Sequence, residues 1–402
     1  MMEMLFLLLP VAAISGWLVA RRTGHKTVER RRESAPAFFR GLNYLLNEQP
    51  DKAIDVFLKL AEVDSETVET HLALGSLFRR RGEVDRAIRI HQNLVARPSL
   101  NAQQRGFALY ELARDYMLAG LFDRAESLLK ELVEMQLQQR RALRGLIEIY
   151  QAEKEWPRCL EMAEQLQRVS TESLKTEIAQ YHCEMAEECL RADDAGQARS
   201  HLLDAQAVDG DCIRAHMLQA QMELADGNAE SAALRYRRVA ECGPRYLPAM
   251  LPGLLECWRR LGRGNVAREL EALFRAHPSP PLMLELSEAI ERERGSDAAL
   301  EFLESYLRAH ADLAGAERLL ELRLRTDASA GSAGAAASGD AALLEVVRHL
   351  RAMQPVYQCE HCGFEARALH WQCPSCKRWG SIQAVEPSPI ANPAVLKQRQ
   401  IA

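Results

Sequence analysis

Apolar positions along the chain follow three regimes. Met4 to Ala20 is an unbroken run of seventeen residues without a charge. From about Ser34 to Arg325, leucine and other apolar residues recur at i, i+3, i+4 and i+7 between charged positions. That is the period of helices with one buried stripe. Beyond residue 354 the pattern is short and irregular around paired cysteines. The first regime predicts a single membrane-spanning helix, the second a long succession of helices, and the third a small module with no helical period.

The seventeen-residue run would span about 25 Å as a helix, the short end of what crosses a bilayer core. Pro10 and Gly16 are tolerable inside such a helix, and Trp17 suits its interfacial end. Only Glu3 precedes the run, whereas Arg21, Arg22, His25, Lys26, Arg30, Arg31 and Arg32 lie just after it. A cleaved signal peptide has the opposite order of charge, and a peripheral hairpin is the remaining alternative. Residues 1–21 therefore read as an uncleaved anchor and 22–33 as a basic juxtamembrane linker, which holds the rest of the chain in the cytoplasm.

The helical regime repeats. Shifting Gly75, Phe78, Asp85 and Ala87 back by 34 lands on Gly41, Tyr44, Asp51 and Ala53. A step of 38 forward lands on Tyr116, Asp123 and Ala125, with Gly82 falling on Gly120. Ala125 to Cys159 and Ala198 to Ala232 are again 34, and Ala232 to Ala267 is 35. Gly227, Gly262 and Gly295 mark later turns. A small residue on the first helix of each hairpin admits the second, and a glycine in the turn ends the first helix. One hairpin buries too little surface alone, so stacking is obligatory. The spacing resembles the tetratricopeptide family over residues 34–325, as about eight hairpins. The copy over Arg140–Arg168 is weaker, with Trp156-Pro157 in its turn, where proline can start the second helix. Arrays of this kind present a concave face to a peptide or protein. Arg79, Arg80, Arg81, Arg140, Arg141 and Arg144 are candidates to line it, or else a solvated surface. Residues 326–340, rich in Ala, Gly and Ser, read as a flexible linker. Residues 341–353 read as an amphipathic helix, to complete the array or to carry the terminal module, and 387–402 as a tail.

Composition narrows the function classes. Lys and Arg total 51 against 56 Asp and Glu, a net charge of −5, which disfavours a nucleic-acid binder. Aromatics are only 6% of the chain, favouring helix over strand. No nucleophile–base constellation and no phosphate-binding glycine loop is apparent, so the chain reads as a non-enzyme. Six of ten cysteines (Cys159, Cys183, Cys189, Cys212, Cys242, Cys257) are scattered without disulfide spacing and read as reduced packing residues. His182-Cys183 is an adjacent His–Cys pair, but no second pair lies at ligand spacing nearby.

The other four cysteines are the most specific chemistry. Cys359-Glu-His-Cys362-Gly363 is succeeded, after ten residues between the pairs, by Cys373-Pro374-Ser-Cys376. Two such loops close a tetrahedron of thiolates around one Zn²⁺ or iron ion. Tyr357, Phe364, Trp371 and Trp379 crowd the ligands and substitute for a core, because metal binding supplies folding energy. A redox dithiol would need one C-x-x-C on a βαβ frame. His361 lies between two ligands, but four cysteines already fill the site and leave no open position for a substrate. Residues 354–386 resemble a rubredoxin-type knuckle, with two departures: Lys377 replaces the usual glycine, and the loop between the pairs is shorter than in free rubredoxins. Both argue for a structural or docking role over electron transfer.

The order of parts (short anchor, basic flank, hairpin array, terminal knuckle) resembles the lipopolysaccharide assembly protein B family of Gram-negative bacteria. The stretches Tyr357-Gln-Cys359 and Trp371-Gln-Cys373-Pro374-Ser-Cys376-Lys-Arg-Trp379 carry most of that weight. The resemblance implies an all-α solenoid with one transmembrane helix and a rubredoxin-like module. It implies an inner-membrane adaptor, with no catalytic residue, that helps a membrane-bound AAA protease degrade the lipid A pathway deacetylase. Lipopolysaccharide assembly and transport proteins are the other implied partners, and homodimer formation stays open. The family's metal ligands fall on Cys359, Cys362, Cys373 and Cys376, holding one iron ion by rubredoxin resemblance, or zinc. A rubredoxin-like electron carrier and a general tetratricopeptide scaffold are the alternatives.

Overall fold

The computed structural model describes residues 39–385 apart from 42, 45–48, 64–67 and 330–334. The anchor expected over 1–21, the basic linker over 22–33 and the tail over 387–402 lie outside the described residues. Among the described residues no helix is long and apolar enough to cross a membrane.

The chain divides into two compact units, one ending at Ser173 and one beginning at Leu174. The first holds α1 (Pro50–Val63), α2 (Val68–Arg80), α3 (Val84–Val95), α4 (Ala102–Leu118), α5 (Phe122–Glu134), α6 (Gln139–Glu153) and α7 (Trp156–Val169). The second holds α8 (Lys175–Arg191), α9 (Ala195–Val208), α10 (Ile213–Ala225), α11 (Ala229–Cys242), α12 (Leu247–Arg260), α13 (Val266–Ala276), α14 (Pro280–Arg294), α15 (Ser296–Ala309), α16 (Leu313–Ser329) and α17 (Ala335–Met353), then three short strands. Within each unit, neighbours pair as antiparallel hairpins.

The repeating small residues do what their spacing predicts. Ala53, Ala87, Ala125 and Cys159 in the first unit, and Ala198, Ala232, Ala267 and Ala299 in the second, are each 0% exposed. Each sits near the start of a second helix, where only a small side chain lets it lie against the first. The first helix makes the matching concession. A Cβ on Gly75 would overlap the imidazole of His91 on α3, and between successive hairpins one on Gly253 of α12 would overlap the Tyr236 ring of α11. Turn residues adopt the left-handed conformation, as at Gly82 (φ 79°) and Gly227 (φ 87°). Within hairpins, Lys154 (φ 61°) and Asp193 (φ 62°) do so without glycine, as do Gln136 (φ 56°) and Gln138 (φ 48°) between α5 and α6. Trp156 opens α7 with Pro157 in its first turn, and the indole is buried.

Charged groups inside the first unit are paired around Arg79 and Asp115. Arg79 binds Glu111 and, at 2.7 Å, Asp115; the fully buried Asp115 is also bound to His91 Nδ1. Arg79 is thus a structural cation rather than a free basic surface group. Arg141 lies over the Tyr110 ring at 5.8 Å, and Arg144 pairs with Glu172.

Of the segment 326–340, where a flexible linker is expected, residues 330–334 lie outside the described residues and the described parts on either side are helical. Helix α16 continues to Ser329 and α17 begins at Ala335, six residues ahead of the expected 341. Alanine, abundant in this segment, has the highest helix propensity of any residue, and that outweighs its low complexity. The two helices form a further hairpin, buried through Leu320, Leu344 and Val347.

The terminal module is a three-stranded antiparallel sheet in the order β2-β1-β3, formed by Glu365–Ala366, Tyr357–Cys359 and Ile382–Ala384. Tyr357 pairs with Ala366 on one side and Ala384 on the other, and Cys359 pairs with Ile382. Its buried core is only Tyr357, Cys359, Cys373 and Ile382.

Candidate metal centre

Strand β1 delivers Cys359 at its end, and the turn after it delivers Cys362. A second turn, closed by the bridge between Gln372 and Trp379, delivers Cys373 and Cys376. The two turns match in backbone hydrogen bonding. Gly363 N–H donates to the Cys359 carbonyl and Lys377 N–H to the Cys373 carbonyl, both at 2.9 Å. Cys359 N–H donates to Phe364 O and Cys373 N–H to Arg378 O, both at 2.8 Å. Gly363 (φ 75°) and Lys377 (φ 59°) are both left-handed. The departure from glycine at 377 therefore keeps the loop shape.

All ten cysteines are free. The four sulfurs of the module lie within 4.8 Å of one another. Cys359 and Cys376 Sγ are 3.7 Å apart, and Cys362 and Cys373 Sγ are 3.6 Å apart. A tetrahedron with Zn–S bonds of about 2.3 Å has edges of about 3.8 Å, so the donor set fits one tetrahedral ion. Burial opposes ionisation of the Cys359 thiol. The Ser381 hydroxyl, 3.3 Å away, and the N–H groups of Cys362 and His361 outweigh it and draw the thiol down to about 6. Cys362 is lowered chiefly by the Phe364 N–H, while burial pushes Cys373 up to about 11. The turns thus aim amide dipoles at the sulfurs that must become anions.

The module rests on the second unit's helices. Trp371 stacks on Tyr246 with ring centroids 5.4 Å apart, and the Tyr246 hydroxyl donates to Gly380 O at 3.1 Å. Arg245 binds Glu360 and, at 2.7 Å, Gln383. Trp379 meets Tyr181 of α8 edge-on at 6.0 Å. Arg214 of α10, 3% exposed, lies 5.7 Å from the Trp371 ring. Glu184 and Glu187, each 2.8 Å away, neutralise it.

Sequence reasoning placed the four cysteines but missed the groups that seat them. Arg214, Arg245 and Tyr246 belong to no motif and lie more than a hundred residues upstream. It also set aside His182-Cys183. The structure brings His182 together with His201 and Asp204, whereas Cys183 Sγ faces Cys212 Sγ at 3.9 Å. Of the six scattered cysteines, Cys159, Cys183, Cys212 and Cys257 are buried, and Cys189 and Cys242 are half-buried.

Fold and site together define a tetratricopeptide-repeat protein with a rubredoxin-like metal-binding domain. The tetratricopeptide repeat family matches residues 40–99 and 183–246, and the rubredoxin metal binding domain family matches residues 357–384. Lipopolysaccharide assembly protein B of Escherichia coli strain K12 is 36% identical over 388 residues, covering 96% of this chain and 98% of that one. Its namesake from Haemophilus influenzae is 34% identical over 400 residues, with the same coverage. The C-terminal part of a solved TPR repeat-containing protein from Cytophaga hutchinsonii aligns at 14% identity with a TM-score of 0.39, over 67% of this chain and 94% of that one. The chain belongs to the lipopolysaccharide assembly protein B family.

Proposed function

We propose that this chain is a membrane-tethered adaptor of lipopolysaccharide biosynthesis, not an enzyme. It brings the lipid A pathway deacetylase to a membrane-bound AAA protease and works with lipopolysaccharide assembly and transport proteins. The observation that carries this reading is the seating of the knuckle on the array through Trp371, Tyr246, Arg214 and Arg245. A module built into the binding scaffold suits a docking role better than shuttling electrons. Cys359, Cys362, Cys373 and Cys376 hold one iron or zinc ion, whose task is to fold that module.

The uncharged run Met4–Ala20 anchors the chain in the inner membrane with the array facing the cytoplasm. Tethering confines scaffold, protease and substrate to one surface and raises their effective concentration. The domain boundaries read from the sequence serve this arrangement: anchor, basic flank, array, knuckle. Deleting residues 4–20 should leave a folded protein that no longer lowers deacetylase levels in cells. Full regulation by the soluble form would overturn tethering. Reversible iron redox in the purified chain would move the reading to an electron carrier.

A further inference from the structure

Helices α8 and α9 pack as one hairpin, and two histidines face each other across it. The rings of His182 on α8 and His201 on α9 have centroids 5.9 Å apart, with planes inclined by 37°. Asp204 lies three residues beyond His201, on the same face of α9. One imidazole nitrogen from each histidine and one Asp204 carboxylate oxygen lie within 4.8 Å of one another. Both rings are half-buried and Asp204 is exposed, so the cluster has a helical floor and a side open to water. His201 Nδ1 is buried and has no hydrogen-bond partner.

We propose that His182, His201 and Asp204 form a second metal site, for a borderline divalent ion such as Zn²⁺. Two imidazoles and one carboxylate are the donors such an ion prefers, whereas Ca²⁺ and Mg²⁺ select oxygen. Bonds of about 2.1 Å set tetrahedral donors about 3.4 Å apart. The donors, all within 4.8 Å of one another, need to close by little more than an ångström at most, which small rotamer changes of the two half-buried rings and the exposed Asp204 supply. Water takes the remaining position from the open side. Cys183 does not compete, because its thiol is buried against Cys212. With three protein donors in place of four thiolates, this ion exchanges more readily than the knuckle's. Tyr181, next to His182, is the ring that Trp379 meets edge-on. An ion clamping α8 to α9 therefore steadies the helix beneath the knuckle.

The test uses the full chain with its knuckle already loaded with one equivalent of Zn²⁺. Co²⁺ is titrated in and monitored by absorption, with Zn²⁺ monitored by calorimetry. The expected result is one further equivalent, its Co²⁺ spectrum showing weak visible bands and no intense thiolate charge-transfer band. Asp204→Asn and His201→Ala should each weaken that equivalent at least tenfold and leave the first untouched. Asp204 is exposed, so its substitution reads out binding without disturbing the fold. Excess Zn²⁺ should raise the melting temperature of the wild-type chain and not of Asp204→Asn. A stoichiometry of one, or a second equivalent indifferent to both substitutions, overturns the proposal.

Discussion

The hairpin array and the terminal knuckle solve the same problem by opposite means. Both must hold a short chain segment in one shape. The array does it with area: Trp258, Tyr236, Leu254, Leu286 and their neighbours in the second unit form a continuous buried core. The knuckle buries four residues, two of them metal-site cysteines, and its strands are two or three residues long. A core of that size does not repay the entropy of ordering some thirty residues. The array is therefore stable by apolar burial, and the knuckle by an ion and by what it leans on. Each part should accordingly fail first under a different insult.

The largest effect comes from taking the ion away. Structural zinc contributes on the order of 10 kcal/mol to small domains, so chelation, or Cys373→Ser at the fully buried ligand, should unfold the knuckle outright. Helicity should barely change. Limited proteolysis cutting within 354–385 while the helices stay protected is the expected pattern. Retained protection after metal removal would mean that the leaning surface alone is enough. That surface is the next target. Arg214→Ala leaves Glu184 and Glu187 without their shared cation beside the half-buried Trp371 ring. Breaking a buried pair costs about 3–5 kcal/mol, and the partial exposure of both carboxylates puts this case near the lower end. Denaturant unfolding of the second unit should shift by that amount, and Trp371 fluorescence should report release of the knuckle. An unchanged Trp371 signal would limit Arg214 to stabilising α8 and α10.

Much of the contrast between array and knuckle is legible in the sequence, for a physical reason. Helical repeats and C-x-x-C pairs are both local patterns. Steric demand forces a small residue once per hairpin, most often 34 or 35 positions on, and thiolate geometry forces two cysteines three apart. The hairpins with non-glycine turns, at Lys154 and Asp193, are fainter because their backbone shape is enforced by neighbours instead of by the residue itself. Helix runs past the expected boundaries to Ser329 and from Ala335 because alanine's helix propensity is a larger signal there than low complexity. Arg214, Arg245, Tyr246 and the His182–His201–Asp204 cluster are invisible because each depends on where the stack brings distant helices. No residue pattern within one repeat carries that information.

Within the array, the close approach of paired helices can be probed at Gly75. An added methyl would overlap the His91 imidazole, whose Nδ1 is held by the buried Asp115. Overpacking a tight core costs about 1–3 kcal/mol, and the ring cannot yield without loosening that bond. Gly75→Ala should lower the first unit's stability by about 2 kcal/mol in thermal or denaturant melts. A neutral result would show that α2 and α3 can separate freely.

The smallest effect tests the near-symmetry of the two metal turns. Gly363 and Lys377 occupy equivalent places, each donating its N–H to the carbonyl of the preceding first cysteine, and each with positive φ. A left-handed conformation costs a non-glycine residue about 1 kcal/mol. Lys377→Gly removes that strain, though the freer glycine lowers the unfolded state by about half as much. The net gain should be about 0.5 kcal/mol. Gly363→Lys moves the other way: it introduces the strain, partly offset by a less free unfolded chain, and should destabilise the turn by about 0.5 kcal/mol. Competition against a chelator of known affinity reads both, since the ion binds only the folded turns. If backbone shape is what the two loops share, Lys377→Gly tightens metal binding and Gly363→Lys loosens it. Shifts of the same sign for both would mean that the side chain at 377, rather than its backbone, sets the stability of the second turn.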